Sequence, residues 1–420
     1  MNPLRPYRVV VRHGRLAYLL AGDFVSKIGD GMLLVALPLL AIRVHEPLSA
    51  ALAVSLVVAA PHLISLPLGL RMGLGRTRLD PVTVIAVDCA LRCSVSTALA
   101  VLAVLDALTL WPLFVMLLFG SSLRAVAGAS RRVLVTGMVG KEDRLPVNSV
   151  LALNDSTALY ILGPSLGGLL VLWAGPWLPL LFDGVSFVAL AAGLVGLRAG
   201  RQPAARAGRR SGWQILKNTG GLWPMFCVAF GFNLLWGPIS VSMPLFVQND
   251  LHADEAAYGL LMTGLGIGAV AGSLASGFLK TLPAHRVLTV LIASWAGALC
   301  LVSFAPNVYL AAAALSVGGL VWAPFVPVMY TAVQGRLDDE DHQPVLTFWS
   351  AGYNTAGPLG VLLGAPLLAL TGTRAGMVVS AGLTAALAVP ALVAGRRLTA
   401  GARREAEDPP PEKAPTGRPE

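Results

Sequence analysis

The chain has 420 residues, of which 55% are hydrophobic and 13% are charged, and its formal net charge is +9. A soluble globular protein is about 25% charged, so this composition excludes an ordinary soluble domain. It indicates an integral membrane protein whose surroundings are the lipid bilayer. The positive residues lie at the ends of apolar segments and in short connections, which argues against a nucleic-acid partner.

Twelve apolar segments follow one another along the chain. Each is long enough to cross the roughly 30 Å apolar core of a bilayer as a helix. An even number of spans places both termini on the same side, and the segments of that side carry 26 of the 31 Lys and Arg residues. The positive-inside rule therefore predicts cytoplasmic termini. The predicted spans are residues 16–42, 48–70, 81–105, 110–130, 147–173, 176–197, 222–247, 257–279, 287–305, 308–333, 345–371 and 375–395.

The amino-terminal tail, residues 1–15, carries four arginines, as the start of a signal peptide does. The apolar run after it is too long for a signal peptide, contains charges and lacks a small-residue cleavage site, so we expect it to be retained. The abundance of Arg, Ala, Gly and Pro is typical of a GC-rich bacterial genome. The predicted location is therefore a bacterial plasma membrane.

The first span carries three charged residues, Asp23, Lys27 and Asp30. Their spacings of four and three residues place them on one face of a helix. A charge near the centre of a bilayer costs roughly 2.5–3.5 kcal/mol on insertion scales. These side chains are therefore predicted to face other helices or water rather than lipid.

The longest connection between spans, residues 199–221, is basic and rich in glycine, and we interpret it as a cytoplasmic linker between two halves. The halves are residues 16–198 and 222–397, with six spans each. The tail, residues 398–420, is polar and rich in proline and is predicted to be disordered.

The two halves resemble each other weakly. Two six-helix repeats indicate an all-α transporter with a site at the interface of two pseudo-symmetric bundles. A shift of 206 residues aligns Phe24 with Phe230, Gly31 with Gly237, and Pro38 with Pro244.

No pattern in the chain indicates an enzyme. Residues 264–277 are glycine-rich like a dinucleotide-binding loop, but no strand precedes them and no acidic residue follows at the required distance. The four cysteines lie inside apolar segments with no histidine nearby, which is typical of packing residues. We therefore predict no catalytic residue, no cofactor and no metal site.

Three stretches carry a family resemblance: GLRMGLGRTR from Gly69, LRAVAG from Leu123 and LGPSLGGLL from Leu162. Together they resemble the major facilitator superfamily, and within it the drug/proton antiporters. VSKIGD and VALPLL in the first span, with DCALR from Asp88, are most similar to the macrolide-efflux branch. The resemblance implies twelve helices in two pseudo-symmetric six-helix bundles around a cavity that spans 1, 4, 7 and 10 line.

The resemblance also implies gating residues. Gly69, Arg76 and Arg78 lie in the counterpart of the family's cytoplasmic signature, although Gly73 replaces its acidic residue; positive-inside anchoring is the alternative. Gly128 completes the Arg-x-x-x-Gly signature of the fourth span. The family associates a Gly-Pro-x-x-Gly-Gly stretch with antiporters, and close helix packing is the alternative explanation. That stretch consists of Gly163, Pro164, Gly167 and Gly168.

The candidates for proton coupling are the charged residues of the spans. Helix rise places Asp23 and Arg124 at similar depths, so we expect them to pair, either as a coupling element or as a static ion pair. Asp88, Arg92 and Asp183 are interpreted as structural, with Asp88 and Arg92 paired to each other. The coupling candidates are Asp23, Lys27, Asp30, Arg124 and Asp155.

The second half has almost no charge within its spans but several aromatic and amide residues. These could form an apolar wall of a substrate cavity, or they could simply pack or lie at the membrane interface. The candidates are Phe232, Asn233, Trp236, Trp322, Phe325, Trp349 and Asn354.

The sequence thus predicts a secondary active transporter that exports a small amphipathic organic compound in exchange for protons and works as a monomer. A nutrient or siderophore importer or symporter, and a membrane receptor or assembly factor that does not transport, are the alternatives. The substrate itself is not specified by any motif.

Overall fold

The computed structural model describes residues 14–74, 80–140, 147, 150–151, 154–197, 211–276, 279, 282–337 and 339–407. Within these ranges the chain forms eleven helices that are long and apolar enough to cross a membrane, and one shorter apolar helix. The prediction of an all-α protein with twelve spans is confirmed.

The first half contains helices α1 to α6, which begin and end close to the predicted boundaries. Helices α2 and α4 are interrupted near the middle, and α5 changes there from π-helical to α-helical winding. The bounds are α1, Gly14–Arg43; α2, Ala50–Leu63 and Ser65–Leu74; α3, Pro81–Val104; α4, Leu110–Gly120 and Arg124–Gly137; α5, a π-helical Asp155–Leu162 followed by Gly163–Ala174; and α6, Trp177–Gly193.

The second half contains helices α7 to α12, and a short helix, Gly212–Asn218, precedes it in the linker. The bounds are α7, Leu222–Leu245 with a π-helical end at Phe246–Asp250; α8, Glu255–Ala275; α9, Ala284–Ser303; α10, Val308–Trp322 and Phe325–Gln334; α11, Asp339–Thr371; and α12, Thr373–Ala386 and Ala388–Glu407.

Four helices begin at side chains that cap their first turn. Ser49, Asp80, Asp254 and Asn307 precede α2, α3, α8 and α10, and each accepts a hydrogen bond from the backbone N–H three residues further on. Such a cap satisfies a donor that the helix itself leaves without a partner. The polar residue before each apolar run therefore determines where these spans begin.

Helices α4 and α10 each consist of two segments, and a proline accounts for the break only in α10. Pro324 has no N–H to donate, so the first segment of α10 ends at Trp322. In α4 the turn at residues 121–123 contains no proline, and the second segment starts at Arg124. This break places the first turn of a helix, with its arginine, in the interior of the molecule.

The tail departs from the prediction over its first ten residues. We expected disorder from residue 398, but α12 continues to Glu407. The sequence ARREAE at this end consists of residues with high helix propensity, so the helix continues beyond its apolar part. The predicted tail beyond residue 407 and the amino-terminal tail up to residue 13 lie outside the described residues.

The two halves meet along two pairs of helices. Helix α5 packs on α8, and α2 packs on α11. Helices 2 and 8 occupy equivalent places in the two repeats, as do 5 and 11, so these contacts are related by the pseudo-symmetry that the repeats predicted. The central cavity lies between the two contacts.

Small residues allow the backbones to approach closely at this centre. A Cβ atom on Gly163 of α5 would lie 2.5 Å from the Cα of Gly31 in α1, and one on Gly168 would lie 3.0 Å from the Cα of Gly259 in α8. Across the same α5–α8 contact, the Ser165 and Thr263 hydroxyls are 2.7 Å apart. Glycine at these positions is therefore required by packing, as in other membrane helix pairs.

We expect Gly163→Ala to lower the free energy of unfolding by about 1–3 kcal/mol, the usual cost of overpacking. The control is Gly297→Ala on α9, where an added Cβ meets no atom within 4 Å; alanine there should be neutral or favour the helix by up to about 1 kcal/mol. Thermal unfolding in detergent measures both, and equal melting temperatures for the two variants would contradict the packing shown here.

Candidate functional site

A cavity of about 280 Å³ lies between the two halves. The charged side chains that line it, Asp30, Arg92, Arg124 and Asp183, all belong to the first half, together with His62. The lining residues of the second half are neutral: Trp236, Ser240, Tyr258, Met262, Leu265, Gly357, Pro358 and Val361. The cavity therefore has one charged wall and one neutral wall.

Asp30 is the centre of the charged wall. Its Oδ1 accepts a hydrogen bond from Arg92 Nη2, and Arg124 Nη2 lies 3.3 Å from the same oxygen. The side chains of Asp30 and Arg92 are each 6% exposed, whereas that of Arg124 is 31% exposed. Both arginines line the cavity, but Arg92 is almost fully buried, whereas Arg124 presents more of its side chain to the cavity contents.

Arg92 is held by a second contact as well. Its guanidinium lies 4.1 Å from the centre of the Phe187 ring on α6. Arginine stacks well on aromatic faces because its planar charge is weakly hydrated. This contact joins α3 to α6 at the depth where α3 reaches α1.

Asp183 on α6 is fully buried and lines the same cavity. Its Oδ2 accepts a hydrogen bond from Ser96 Oγ at 2.7 Å. Its Oδ1 has no hydrogen-bond partner within the part of the chain that the structure describes. Such a buried oxygen is uncommon in folded proteins and requires an explanation.

The predicted pair of Asp23 and Arg124 does not form. Asp23 instead accepts a hydrogen bond from Arg131 Nη1, and Asn154 Nδ2 donates to its other oxygen at 3.1 Å. The depth estimate treated Arg131 as the membrane boundary, but this residue is only 8% exposed. Arg124 therefore lies two turns deeper, opposite Asp30.

The two ion pairs of α1 and α4 form a ladder. Asp23 and Asp30 are seven residues apart on α1, and Arg124 and Arg131 are seven apart on α4. Because the helices run in opposite directions, Asp23 faces Arg131 and Asp30 faces Arg124. Equal spacings of about two turns keep both pairs in register.

Asp88 and Arg92 do not pair as predicted either. Arg92 donates to Asp30, and Asp88 Oδ1 has no partner among the described residues. An i, i+4 pair contributes only about 0.2–0.5 kcal/mol, so the contact with Asp30 in the interior prevails.

Of the residues proposed for the aromatic wall, only Trp236 lines the cavity within the described ranges. Phe232 and Phe325 stack on each other in the core with ring centres 4.0 Å apart. Trp349 is buried against Phe226, and Trp322 packs against Tyr160. The prediction was wrong for these four aromatic residues because a helix is surrounded on all sides, and its aromatics can pack away from the cavity.

The amide candidates do not line the cavity among the described residues. Asn233 Nδ2 donates to the backbone oxygen of Tyr353 at 2.6 Å, which joins α7 to α11. Asn354 is exposed. His62, Tyr160 and Tyr258 line the cavity although the sequence gave no reason to select them. They could have been selected only from their positions on spans 2, 5 and 8, because these helices pack around the central cavity.

The gating candidates have different surroundings. Pro164 lines the cavity, and Gly163, Gly167 and Gly168 make close contacts with α1 and α8. A Cβ on Gly69 would meet the Cβ of Ala125 at 3.0 Å, whereas one on Gly128 would meet no atom within 4 Å. Close packing therefore explains the glycines of α5 but not Gly128. Arg76, Arg78 and the side chain of Asp155 lie outside the described residues, and Lys27 is half-buried on α1.

Two further ion pairs lie at the end of the molecule where α1 ends, which the charge pattern predicts to face outward. Arg43 Nε donates to Glu255 Oε1 at 3.0 Å, which connects α1 to α8 and so joins the halves. Arg374 Nε donates to Asp250 at 2.8 Å within the second half. The sequence offered a signal, because Arg43 and Arg374 are the two cations of the predicted outer segments.

No group of three or more His, Cys, Asp or Glu side chains is placed to hold a metal ion in the described ranges. Around the charged side chains of the cavity lie the hydroxyl groups of Ser240 and Tyr258 and the aromatic rings of Tyr160 and Trp236.

The family model of the Major Facilitator Superfamily matches residues 225–420. The multidrug efflux pump Tap of Mycobacterium tuberculosis (strain ATCC 25618 / H37Rv) is 25% identical over 227 residues, which cover 51% of this chain and 54% of that protein. Tap of Mycobacterium bovis gives the same values. The chain thus spans about half the length of the curated relatives it matches.

Solved structures show the same fold over nearly the whole chain. A bacterial homologue of the human lysosomal transporter Spinster, in an inward-facing and unoccupied conformation, has a TM-score of 0.68 at 12% identity and covers 95% of this chain and 98% of that one. The nucleoside transporter NupG has a TM-score of 0.68 at 14% identity and covers 92% and 99%.

The Asp23–Arg131 ion pair provides a test of the buried charges. Arg131→Met removes one partner and leaves the Asp23 carboxylate buried, so we expect unfolding to become easier by about 3–5 kcal/mol. Asp23→Asn combined with Arg131→Met removes both charges and should recover most of that loss. Thermal unfolding in detergent measures both, and a double variant no more stable than the single one would argue against the pairing.

Proposed function

We propose that this chain is a member of the major facilitator superfamily that exports a small amphipathic organic compound across the plasma membrane in exchange for protons. The two halves alternate about the central cavity, which opens first to one side and then to the other. The proposal depends on one observation above all: Asp30 lies in that cavity between two arginines that come from different helices.

In this proposal, a change of the ion-pair partners of Asp30 couples proton movement to substrate movement. When Asp30 takes up a proton, it loses the negative charge that attracts Arg124, and the partly exposed guanidinium becomes available to the cavity. When the proton leaves, the ion pair forms again. Arg124 lies at the start of the second segment of α4, so its movement acts on a helix that is already interrupted.

The neutral wall suits an amphipathic substrate. Trp236, Tyr258 and Met262 offer aromatic and flexible apolar surface, and Ser240 and the Tyr258 hydroxyl offer hydrogen bonds. Ligand sites of this kind combine a mainly apolar lining with a few polar groups that orient the ligand. The multidrug efflux pump Tap among the relatives supports the same class of substrate.

The direction of transport follows in this proposal from α5. Its Gly-Pro-x-x-Gly-Gly stretch resembles the antiporter signature and lies at the contact with α8, where the halves must move against each other. We further propose that both termini are cytoplasmic, that the protein acts as a monomer, and that Lys27 and Asp155 assist the proton path.

An importer or symporter of a nutrient or siderophore is the second candidate. The likeness of the fold to a nucleoside transporter favours it, because the same two-bundle architecture can carry substrates in either direction. The direction of net flux in vesicles of known orientation separates the two candidates.

Asp30→Asn should abolish coupled transport while the protein remains in the membrane. In everted vesicles with an acidic interior, we expect gradient-driven accumulation of ethidium or tetracycline to fall about tenfold or more. The loss of a charge-assisted hydrogen bond of about 1.5–3 kcal/mol corresponds to such a factor.

The matched control is Asp106→Asn, an exposed residue of the α3–α4 connection whose φ of 51° asparagine also tolerates. This variant should transport as the wild type does. Accumulation of neither compound by the wild type, accumulation that persists after an uncoupler is added, or normal coupling in Asp30→Asn would refute the proposal.

A further inference from the structure

The cavity contains two arginines and two carboxyl groups, but their pairing is uneven. Arg92 and Arg124 both contact Asp30. Asp183, which lines the same cavity, receives only the hydroxyl hydrogen bond of Ser96. An even arrangement would give each carboxylate one arginine. The observed arrangement is the one expected when Asp183 carries no negative charge to attract a cation.

Arg92 is within reach of Asp183. Ser96, the partner of Asp183, lies four residues after Arg92 on α3, and Phe187, on which Arg92 stacks, lies four residues after Asp183 on α6. Both separations equal about one helical turn, or about 6 Å. The Arg92 guanidinium and the Asp183 carboxyl therefore lie about one helical turn apart on two adjacent helices.

The surroundings of Asp183 leave one oxygen free for a change of partner. Asp183 is fully buried, and its Oδ1 has no hydrogen-bond partner among the described residues. Gly29 of α1 faces this oxygen: a Cβ on Gly29 would lie 3.0 Å from it. The same Cβ would lie 2.9 Å from the Cα of Asp183, so glycine at this position allows α1 to pack directly against Asp183.

The charged groups around Asp183 come from three helices: Asp30 of α1, Arg92 of α3 and Arg124 of α4. Asp88 lies one turn before Arg92 on α3, on the far side of that arginine from Ser96. Asp30 carries the same sign of charge as an ionised Asp183, and Arg124 forms an ion pair with Asp30 but none with Asp183 in the described residues. Arg92 is thus the cation that can form an ion pair with Asp183 when Asp183 becomes charged.

We propose that Asp183 is a second proton-binding site of the transport cycle and that Arg92 moves between Asp30 and Asp183 according to which of them is charged. This inference rests on the proposed proton-coupled function. When Asp183 releases its proton, the O–H bond of the carboxyl breaks and a new O–H bond forms on a water molecule in the cavity, which carries the proton away as hydronium. The electron pair stays on the new carboxylate, which attracts Arg92. Asp30 then keeps Arg124, and the charges pair one to one.

The two carboxyls lie at nearly the same depth in the bundle. Helices α1 and α6 run antiparallel, as the approach of Gly22 to Leu190 and of Gly29 to Asp183 shows. Asp30 directly follows Gly29, a rise of about 1.5 Å along α1. Arg92, which contacts Asp30, therefore lies near the level of both carboxyls.

Infrared spectroscopy of the protein in lipid tests whether Asp183 takes up a proton, and it needs no substrate. The wild type should show the C=O stretching band of a protonated buried carboxyl, and this band should disappear as pH rises. The band should be absent in Asp183→Asn and present in Asp106→Asn. Ser96→Ala should shift the pH at which it disappears. A band unchanged in Asp183→Asn, or none in the wild type, would overturn the inference.

Transport then tests the coupling. Asp183→Asn should lose gradient-driven ethidium accumulation in everted vesicles, while ethidium exchange at equal pH stays within about twofold of the wild type, since exchange needs no net proton movement. Asp183→Glu should restore part of the coupled rate. Loss of exchange together with accumulation would indicate a structural role and refute the inference. If the wild type shows the infrared band but no coupled transport, the proposed function fails instead.

Discussion

Asp30 is the residue on which the polar centre of this protein depends. It is buried in a helix bundle, where an uncompensated charge is expensive, and it is tolerated because Arg92 and Arg124 reach it from two neighbouring helices. The same contacts hold α1, α3 and α4 together. Neutralising Asp30 would weaken contacts of all three helices, and in the proposed function this links proton binding to movement.

The two halves contribute different chemistry to the cavity. The first half provides the charged cluster, and the second half provides a neutral surface that includes Trp236 and Tyr258. Between them, glycine and small hydroxyl residues of α5 and α8 make a contact with little side-chain interlocking. Two smooth surfaces can slide or rock, and the Arg43–Glu255 pair at one end adds a polar contact that can form and break without disturbing a core.

The two ion pairs between α1 and α4 look alike in the sequence but lie in different surroundings. Asp23 and Arg131 sit away from the cavity, and Asn154 satisfies the remaining oxygen of the carboxylate. Asp30 and Arg124 sit at the cavity, and Arg124 is partly exposed to it. The Asp23–Arg131 pair thus joins α1 to α4 away from the cavity, whereas the Asp30–Arg124 pair lies at the cavity surface.

The sequence by itself determined the number of spans, the division into two halves and the inward orientation of the charges on α1. These follow from local quantities: the length of apolar runs, the cost of a charge in lipid and the spacing of residues on one helix. It did not determine which charges pair, that Arg131 is buried, or that Phe232, Phe325 and Trp349 pack in the core. Those outcomes depend on how deeply each helix sits and which face it turns to its neighbours. Only the tertiary packing of antiparallel helices decides this, because residues far apart in the chain meet at a depth that no single helix specifies.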